Sequence, residues 1–373
     1  MSAPDLLHSE IEEELRASVR ALLTDRCPPS AVLERCEGPR PYDPALWRAL
    51  ADELGVAGLH VPEEYGGAGA SLRESAVVLE ELGRRVAPVP FLGSAVLAGV
   101  LLLAACPQDA LLPQVAGGAL TATVAVPLST APGAGFPAAV TAGAGATLSG
   151  RVTSVADALD AGLLLVPAVG PDGPALYAVE AGAAGLGVVR RTSLDLTRPL
   201  ADVTLHEVPG RRLAVGEVAE RALGQALLTA AGLLASEQLG VAEWCLAATV
   251  EYLKERRQFA RRLGSFQALK HRLADLWLET VGARAAARYA ADTLARGGPD
   301  AEVAVALAQA HCAAVAVRAA EECVQLHGGI GMTWEHPAHL YLKRAKADQI
   351  ALGTPGHHRA ALARLVDLPG PVG

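Results

Sequence analysis

The chain has 373 residues, 51% of them hydrophobic, and a formal net charge of −8. That length supplies core for two or three domains, and an acidic balance with no long Lys/Arg run argues against a nucleic-acid partner. Aromatic residues make up only 4%, so alanine, leucine and valine must build the interior.

The start, "MSAPDLLHSEIEEELRASVRALL", is acidic and amphipathic. It lacks the basic stretch and apolar run of a signal peptide. In "LGVAGLHVPEEYGGAGASLRESAVVLEELGRRV" a Pro-containing loop and a Gly-Gly turn precede a helix capped near Ser71. The apolar stretch "GSAVLAGVLLLAACP" ends at Pro107. At about 15 residues it falls short of the ~20 that span a bilayer, so a buried core helix is expected and no membrane association. The texture changes after residue 115. "ALTATVAVPL", "AGLLLVPAV", "ALYAVEA" and "ADVTLHEV" are short runs bounded by Gly, Pro and Asp, and they read as strands. From 214 the helical period returns with "AERALGQALLTAAGLLASEQLGVAEWCLAATVEYLKERRQF", a proline-free helix of unusual length. Two or three more helices follow, as in a four-helix bundle. The expected division is a helical domain over 1–115, a β domain over 116–213 and a helical bundle over 214–373, an α+β chain.

Six cysteines, Cys27, Cys36, Cys106, Cys245, Cys312 and Cys323, show no CxxC spacing. They read as reduced packing thiols of a cytoplasmic protein. His336, His339, His357 and His358 lack a ligand spacing, so no metal site is expected.

Two late segments do not read as packing alone. "ERRQFARRLGSFQALKHRLADLW" sets Arg256, Phe259 and Gln267 around a break at Leu263-Gly264-Ser265. An arginine, a ring and an amide at a helix-to-helix turn suit a flat, anionic ligand; a solvated basic turn with Phe259 as a core plug has the same pattern. "QLHGGIGM" places Gln325, Gly328, Gly329 and Gly331 together. Either a ligand approaches the main chain there or a helix simply stops and turns.

Together with the helix–strand–helix layout, these segments resemble the acyl-CoA dehydrogenases over nearly the full length. "VPEEYGGAGASLRESAVVLEELG" resembles the family's N-terminal helical signature, "RRQFARRLGSFQ" its R-x-x-F-G-x-x-[LI]-x-x-x-Q motif, and "QLHGGIGMTWEHPAHLYLKRA" its Q-x-x-G-G-x-G motif. The resemblance implies an N-terminal helical domain, a middle β-barrel domain and a C-terminal four-helix bundle, assembled as a dimer of dimers. It implies FAD as cofactor and an acyl-CoA thioester as substrate. A glutamate takes a proton next to the thioester and a hydride passes to the flavin. An electron-transfer flavoprotein is the implied acceptor. Arg256, Phe259, Gln267, Gln325, Gly328 and Gly329 are the implied contacts to the pyrophosphate and adenosine of FAD held by a neighbouring subunit. Ala260 stands where the family has glycine.

The chain departs from the family at the reacting centre. The usual I-x-E-G-T stretch reads "IALGTPG", with Leu352 in place of the glutamate. The alternative base position, early in the bundle's first helix, falls on Ala230. Glu237 and Glu243 lie about two and four helical turns further along, too far to substitute, and Glu237 reads as a surface carboxylate or a buried cap partner. Asp348 lies near the "IALGT" loop. In the β region "TATVAVPLSTAPGAG" lacks the family's acidic loop and Ser-Asp pair, and Ser154 sits about where a flavin-facing aromatic belongs. Small residues at Ala230 and Ala231 suggest room for a bulky acyl group such as a steroid. Three readings follow: a subunit completing the FAD site of a base-bearing paralogue, like the degenerate partners of actinobacterial heterotetramers; a self-sufficient dehydrogenase with an unidentified base; or a non-catalytic thioester-binding or scaffold homologue.

Overall fold

The computed structural model describes residues 4–38, 40 and 42–369. Its elements are α1 (Glu10–Arg26), α2 (Pro29–Glu37), α3 (Pro44–Arg48), α4 (Leu72–Arg85), α5 (Gly99–Ala105) and α6 (Leu111–Ala116), then β1 (Ala122–Val124), β2 (Val140–Ala142), β3 (Thr147–Ala156), β4 (Leu163–Gly170), β5 (Gly173–Glu180), β6 (Leu186–Arg191), β7 (Leu200–Pro209) and β8 (Arg211–Val215). Helices α7 (Gly216–Glu255), α8 (Gln267–Ala295), α9 (Ala301–His327), α10 (Ala338–Ile350) and α11 (Pro355–Leu365) follow, with a small ribbon of β9 (Arg257–Gln258) and β10 (Arg261–Arg262) between α7 and α8. The helix–strand–helix order is the one the sequence periodicities predict. The chain divides into two compact units, one made of 1–34, 76–87 and 232–373, the other of 35–75 and 88–231.

The first unit is helical. Helix α7 has 40 residues and no proline, which at 1.5 Å per residue makes it about 60 Å long. It meets α4 backbone to backbone. A Cβ on Gly83 would lie 2.2 Å from the Glu237 carbonyl oxygen, and one on Gly240 would lie 2.0 Å from that of Glu80. Charge also holds the helices of this unit together. Glu80 accepts from Arg16 at 2.9 Å, and the Arg20 guanidinium forks onto Glu81 at 2.9 and 2.6 Å. The Tyr341 ring stacks on Trp244 at 3.5 Å and its hydroxyl donates to the Arg84 carbonyl. Among the described residues one segment, Ala301–Met332, is long and apolar enough to cross a membrane, but 67% of its most apolar window is buried. It packs against α8, α10 and α11.

In the second unit the strands form one sheet in the order β6-β7-β3-β2-β4-β5-β8, with β1 added in parallel beside β4. Val140, Leu148, Val152, Leu164, Val166, Val203 and Leu205 fill its core. Six successive residues of β4, Leu163–Ala168, are buried, which fits a strand paired on both edges and covered on both faces. Ser71 caps α4 as expected: its hydroxyl oxygen accepts from Arg73 N–H, and Glu74 reaches back to the Ser71 amide at 2.9 Å. The apolar stretch before Pro107 is helical and buried, a π-helical run Phe91–Ala98 leading into α5.

Candidate functional site

The two late motifs meet at one end of the helical unit. Tyr252, one turn before Arg256, stacks on His327 at 4.3 Å between ring centroids, and its hydroxyl donates to the His327 carbonyl at 3.3 Å. The end of α7 is thereby joined to the end of α9, so Arg256 and Gln325 belong to the same corner.

Beyond α7 the chain turns through β9 and β10, paired Gln258 to Arg261. The two residues between the paired positions, Phe259 and Ala260, have φ of 52° and 60°. A two-residue hairpin with left-handed backbone at both positions normally carries Asn or Gly. Ala260 holds that conformation with a Cβ, at a cost of about 1 kcal/mol. The turn lifts Phe259 into solvent, 84% exposed. It is therefore no core plug, which removes one of the two sequence readings of this residue. Among the described residues no carboxylate pairs with Arg256, Arg257, Arg261 or Arg262; Arg261 lies over the Phe266 ring at 3.7 Å. Gln267 opens α8, whose first turn has no side-chain cap, so its free amides add to the positive field. Arg256, Phe259 and Gln267 are all exposed.

Gln325, Gly328 and Gly329 are exposed beside them. The glycines have different reasons. Gly328 sits at φ 65°, ψ −140°, a conformation nearly closed to other residues. A Cβ on Gly331 would strike the Val324 carbonyl oxygen at 2.6 Å, so its need for glycine comes from its own helix. Nothing lies within 4 Å of a Cβ at Gly329. Of these three glycines, only Gly329 leaves main-chain atoms open for no internal reason. Unpaired guanidinium groups, helix-start amides, an exposed ring and an open glycine suit a flat anionic group.

The place expected for a base is built differently. Leu352 follows α10 with φ 53° and is 2% exposed. Its carbonyl accepts from His358 Nε2 at 2.9 Å, and Thr354 caps α11 by accepting from His357 N–H. Burial lowers the His358 pKa, which keeps the ring neutral, as the Nε2–H tautomer. The loop is well held and carries no titratable side chain at its tip. Glu237, expected as a surface carboxylate or a buried cap partner, is buried and paired with Arg344 at 2.6 Å, both side chains at 3% exposure or less. Glu243 accepts from Arg84 and from Arg284 Nε at 2.9 Å. Asp348 is fully buried, its carbonyl accepting from Gln238 at 3.2 Å. Neither glutamate presents a free carboxylate. Ala230 and Ala231 are both 0% exposed, so no solvent-sized space lies against either methyl and the room expected for a bulky acyl group is absent there.

In the β unit Ser154 also takes a left-handed backbone, φ 57°. Its amide donates to Asp202 Oδ1 at 3.2 Å and its carbonyl accepts from Leu128 N–H at 3.0 Å. Asp202 further accepts from Arg151 at 2.8 Å, and that bond is the main cause of its lowered carboxyl pKa. The main-chain groups of Ser154 and the Leu128 amide are thus consumed within the unit. Tyr252 and Asp202 were not singled out in the sequence, and His358 was weighed only as a metal ligand. A tyrosine one turn before the arginine motif was the sole available hint, for Tyr252.

Comparisons with known proteins agree with this layout. Residues 9–118 match the family described as acyl-CoA dehydrogenase, N-terminal domain, and residues 220–366 match acyl-CoA dehydrogenase, C-terminal domain. The acyl-CoA dehydrogenase IpdE2 of Mycolicibacterium smegmatis is 37% identical over 357 residues, 96% of this chain and 98% of that protein. The solved Tcur3481–Tcur3483 steroid ACAD superposes with a TM-score of 0.85 at 34% identity, covering 96% and 98% of the two chains. The ChsE4–ChsE5 complex from Mycobacterium tuberculosis does so with 0.86 at 31%, covering 98% and 100%. The chain belongs to the acyl-CoA dehydrogenase family, the FAD-dependent oxidoreductases that act on CH–CH bonds.

Proposed function

We propose that this chain is the base-lacking subunit of a hetero-oligomeric acyl-CoA dehydrogenase, completing the FAD site of a paralogous subunit that carries the base. The observation that carries the reading is the contrast between Leu352, buried where the base belongs, and the exposed arginines at the end of α7, which have no carboxylate partners among the described residues. Arg256, Phe259, Gln267, Gln325, Gly328 and Gly329 fit the pyrophosphate and adenosine end of FAD. Guanidinium forks and main-chain amides bind phosphate oxygens, and a ring stacks on a flat base. The flavin-ring end fits poorly, because the main-chain groups of Ser154 and the Leu128 amide are already bonded. When bound, FAD supplies the hydride-accepting chemistry of α,β-dehydrogenation. This chain's own residues bind and orient the nucleotide end. Proton removal falls to the partner. Two relatives, a solved steroid ACAD and a two-component complex, support a paralogous partner and a steroid-type acyl-CoA substrate. The three-part division at residues 115 and 213, a cytoplasmic location and electron-transfer flavoprotein as acceptor belong to the same reading.

The test is flavin stoichiometry. The chain purified alone is expected to be colourless and to gain FAD and acyl-CoA oxidation when co-expressed with the paralogue. A yellow, active chain with one FAD per subunit when alone overturns the proposal in favour of a self-sufficient enzyme. No flavin with any paralogue favours a scaffold. Leu352→Glu in the isolated chain is expected to give no turnover, since the ring contacts are missing as well; turnover by that variant refutes this part.

A further inference from the structure

We propose that Tyr252, His327 and His336 form a clasp at the base of the 328–335 loop and act as positioning residues for its open glycine turn. The inference rests on the reading of this corner as the nucleotide site. The three rings make a row with His327 in the middle. Tyr252 packs on it at 4.3 Å between centroids and 28° between planes, and His336 at 4.2 Å and 39°. Tyr252 belongs to α7, His327 is the last residue of α9, and His336 lies just before α10. The row therefore gathers three segments, and the loop leaves from its middle ring and returns to its end ring.

Each ring is also fixed by a hydrogen bond to main chain. The Tyr252 hydroxyl donates to the His327 carbonyl at 3.3 Å. That carbonyl belongs to the peptide leading into Gly328, the residue at φ 65°, ψ −140°. His327 Nδ1–H donates to the Cys323 carbonyl at 2.7 Å, one of those that the last turn of a helix leaves open. His336 Nδ1 accepts from Ala338 N–H at 3.2 Å, at the start of α10. Burial, with the neighbouring His327 and His339, lowers the His336 pKa to about 4, so this nitrogen keeps its lone pair at neutral pH.

The loop has little else to hold it. Apart from Gly331, every residue from 328 to 335 is exposed, Met332 at 80% and Trp334 at 54%. Trp334 meets the ring of His339 edge-on and the Lys343 ammonium at the surface, and the Thr333 bonds stay within the loop, on the Ile330 carbonyl. At Gly331 the loop folds back on the clasp, where a Cβ would lie 2.9 Å from that of His327. A segment with few buried contacts takes its place from its ends and otherwise opens readily. A turn that must be ordered when a rigid ligand arrives binds it more weakly than one ordered beforehand. The clasp does that ordering in advance, by holding the main chain at Gly328 and Gly329.

The experiment has two readouts. The first is amide exchange over residues 324–335 in the full-length chain alone. Tyr252→Phe keeps the ring and loses the hydroxyl, and should speed exchange there by about threefold to tenfold, with the rest of α9 unchanged. His336→Ala should act in the same direction, and His336→Phe, which restores a ring, should recover part of the protection. The second is FAD retention by the enzyme assembled with its paralogue, which should fall in step, with Arg256→Ala as the reference. Wild-type exchange in both Tyr252→Phe and His336→Ala overturns the clasp. Equal exchange in His336→Ala and His336→Phe overturns the part given to the third ring. Faster exchange with full FAD retention, where Arg256→Ala does release FAD, overturns the positioning role and leaves the nucleotide site standing. Full retention in Arg256→Ala as well removes the corner from the cofactor site, and the positioning role with it.

Discussion

The corner where α7 and α9 end and the loop that follows α10 are built from opposite materials. The corner is open: arginines with no carboxylate partner among the described residues, a solvent-facing phenylalanine, a glycine with nothing over it. The loop is shut: Leu352 is buried, its carbonyl is taken by His358, and the acids on nearby stretches of chain are neutralised by arginine. In one site of a complete enzyme both regions would have to face a ligand. Here only one is free to, and the physical difference is desolvation. Exposed guanidinium groups lose little until a ligand arrives, whereas a buried carboxylate survives only with a partner.

Glu237→Ala attacks the shut region hardest. It strands the Arg344 guanidinium, and unfolding in urea should show a loss of about 3–5 kcal/mol. A loss below about 1 kcal/mol would mean that water reaches the pair and the region is not closed. Arg256→Ala attacks the open corner. Losing a charge-assisted phosphate contact should weaken FAD retention by the assembled enzyme by about tenfold or more, with chain stability moving by less than about 0.5 kcal/mol. Gln325→Ala should act in the same direction. Unchanged flavin content in both variants would remove the corner from the cofactor site. A smaller effect of opposite sign is expected from Ala260→Gly, which relieves left-handed strain and should stabilise the ribbon by about 1 kcal/mol, read as slower amide exchange over residues 256–263.

The smallest effect is in the pH dependence. Burial places the His358 pKa below the ordinary 6.5. The unfolded chain therefore takes up a proton that the folded chain refuses. The contribution of His358 is complete above about pH 6.5 and is lost as pH falls toward the depressed folded value. His358→Gln should flatten part of the acid-side slope of stability against pH. An identical slope in both proteins would show that the ring titrates freely and does not hold the Leu352 carbonyl.

Much of this could be read in advance. A period of 3.6 without proline across residues 216–255 leaves little alternative to a long helix, and short apolar runs between Gly, Pro and Asp leave little alternative to strands. The corner motifs were legible because exposed Arg and Gly have few local reasons to cluster. Buried partners were less so. Glu237 and Arg344 lie 107 residues apart, and no local pattern announces that a helix-face carboxylate will face inward onto an arginine. Of the two readings open for Gly331, the structure supports the turn, because the Val324 carbonyl that demands glycine lies earlier, in α9, and leaves no mark on composition.

The sequence by itself determined the order of helix, sheet and helix, the absence of a carboxylate at position 352, and the residue types at the corner, since these follow from local periodicity and residue identity. Only the tertiary structure decided that Phe259 faces solvent, that Glu237 and Glu243 are neutralised and that the Ser154 amide is spent. Each of these depends on which surfaces are withdrawn from water together, and that is a property of packing between segments far apart in the chain.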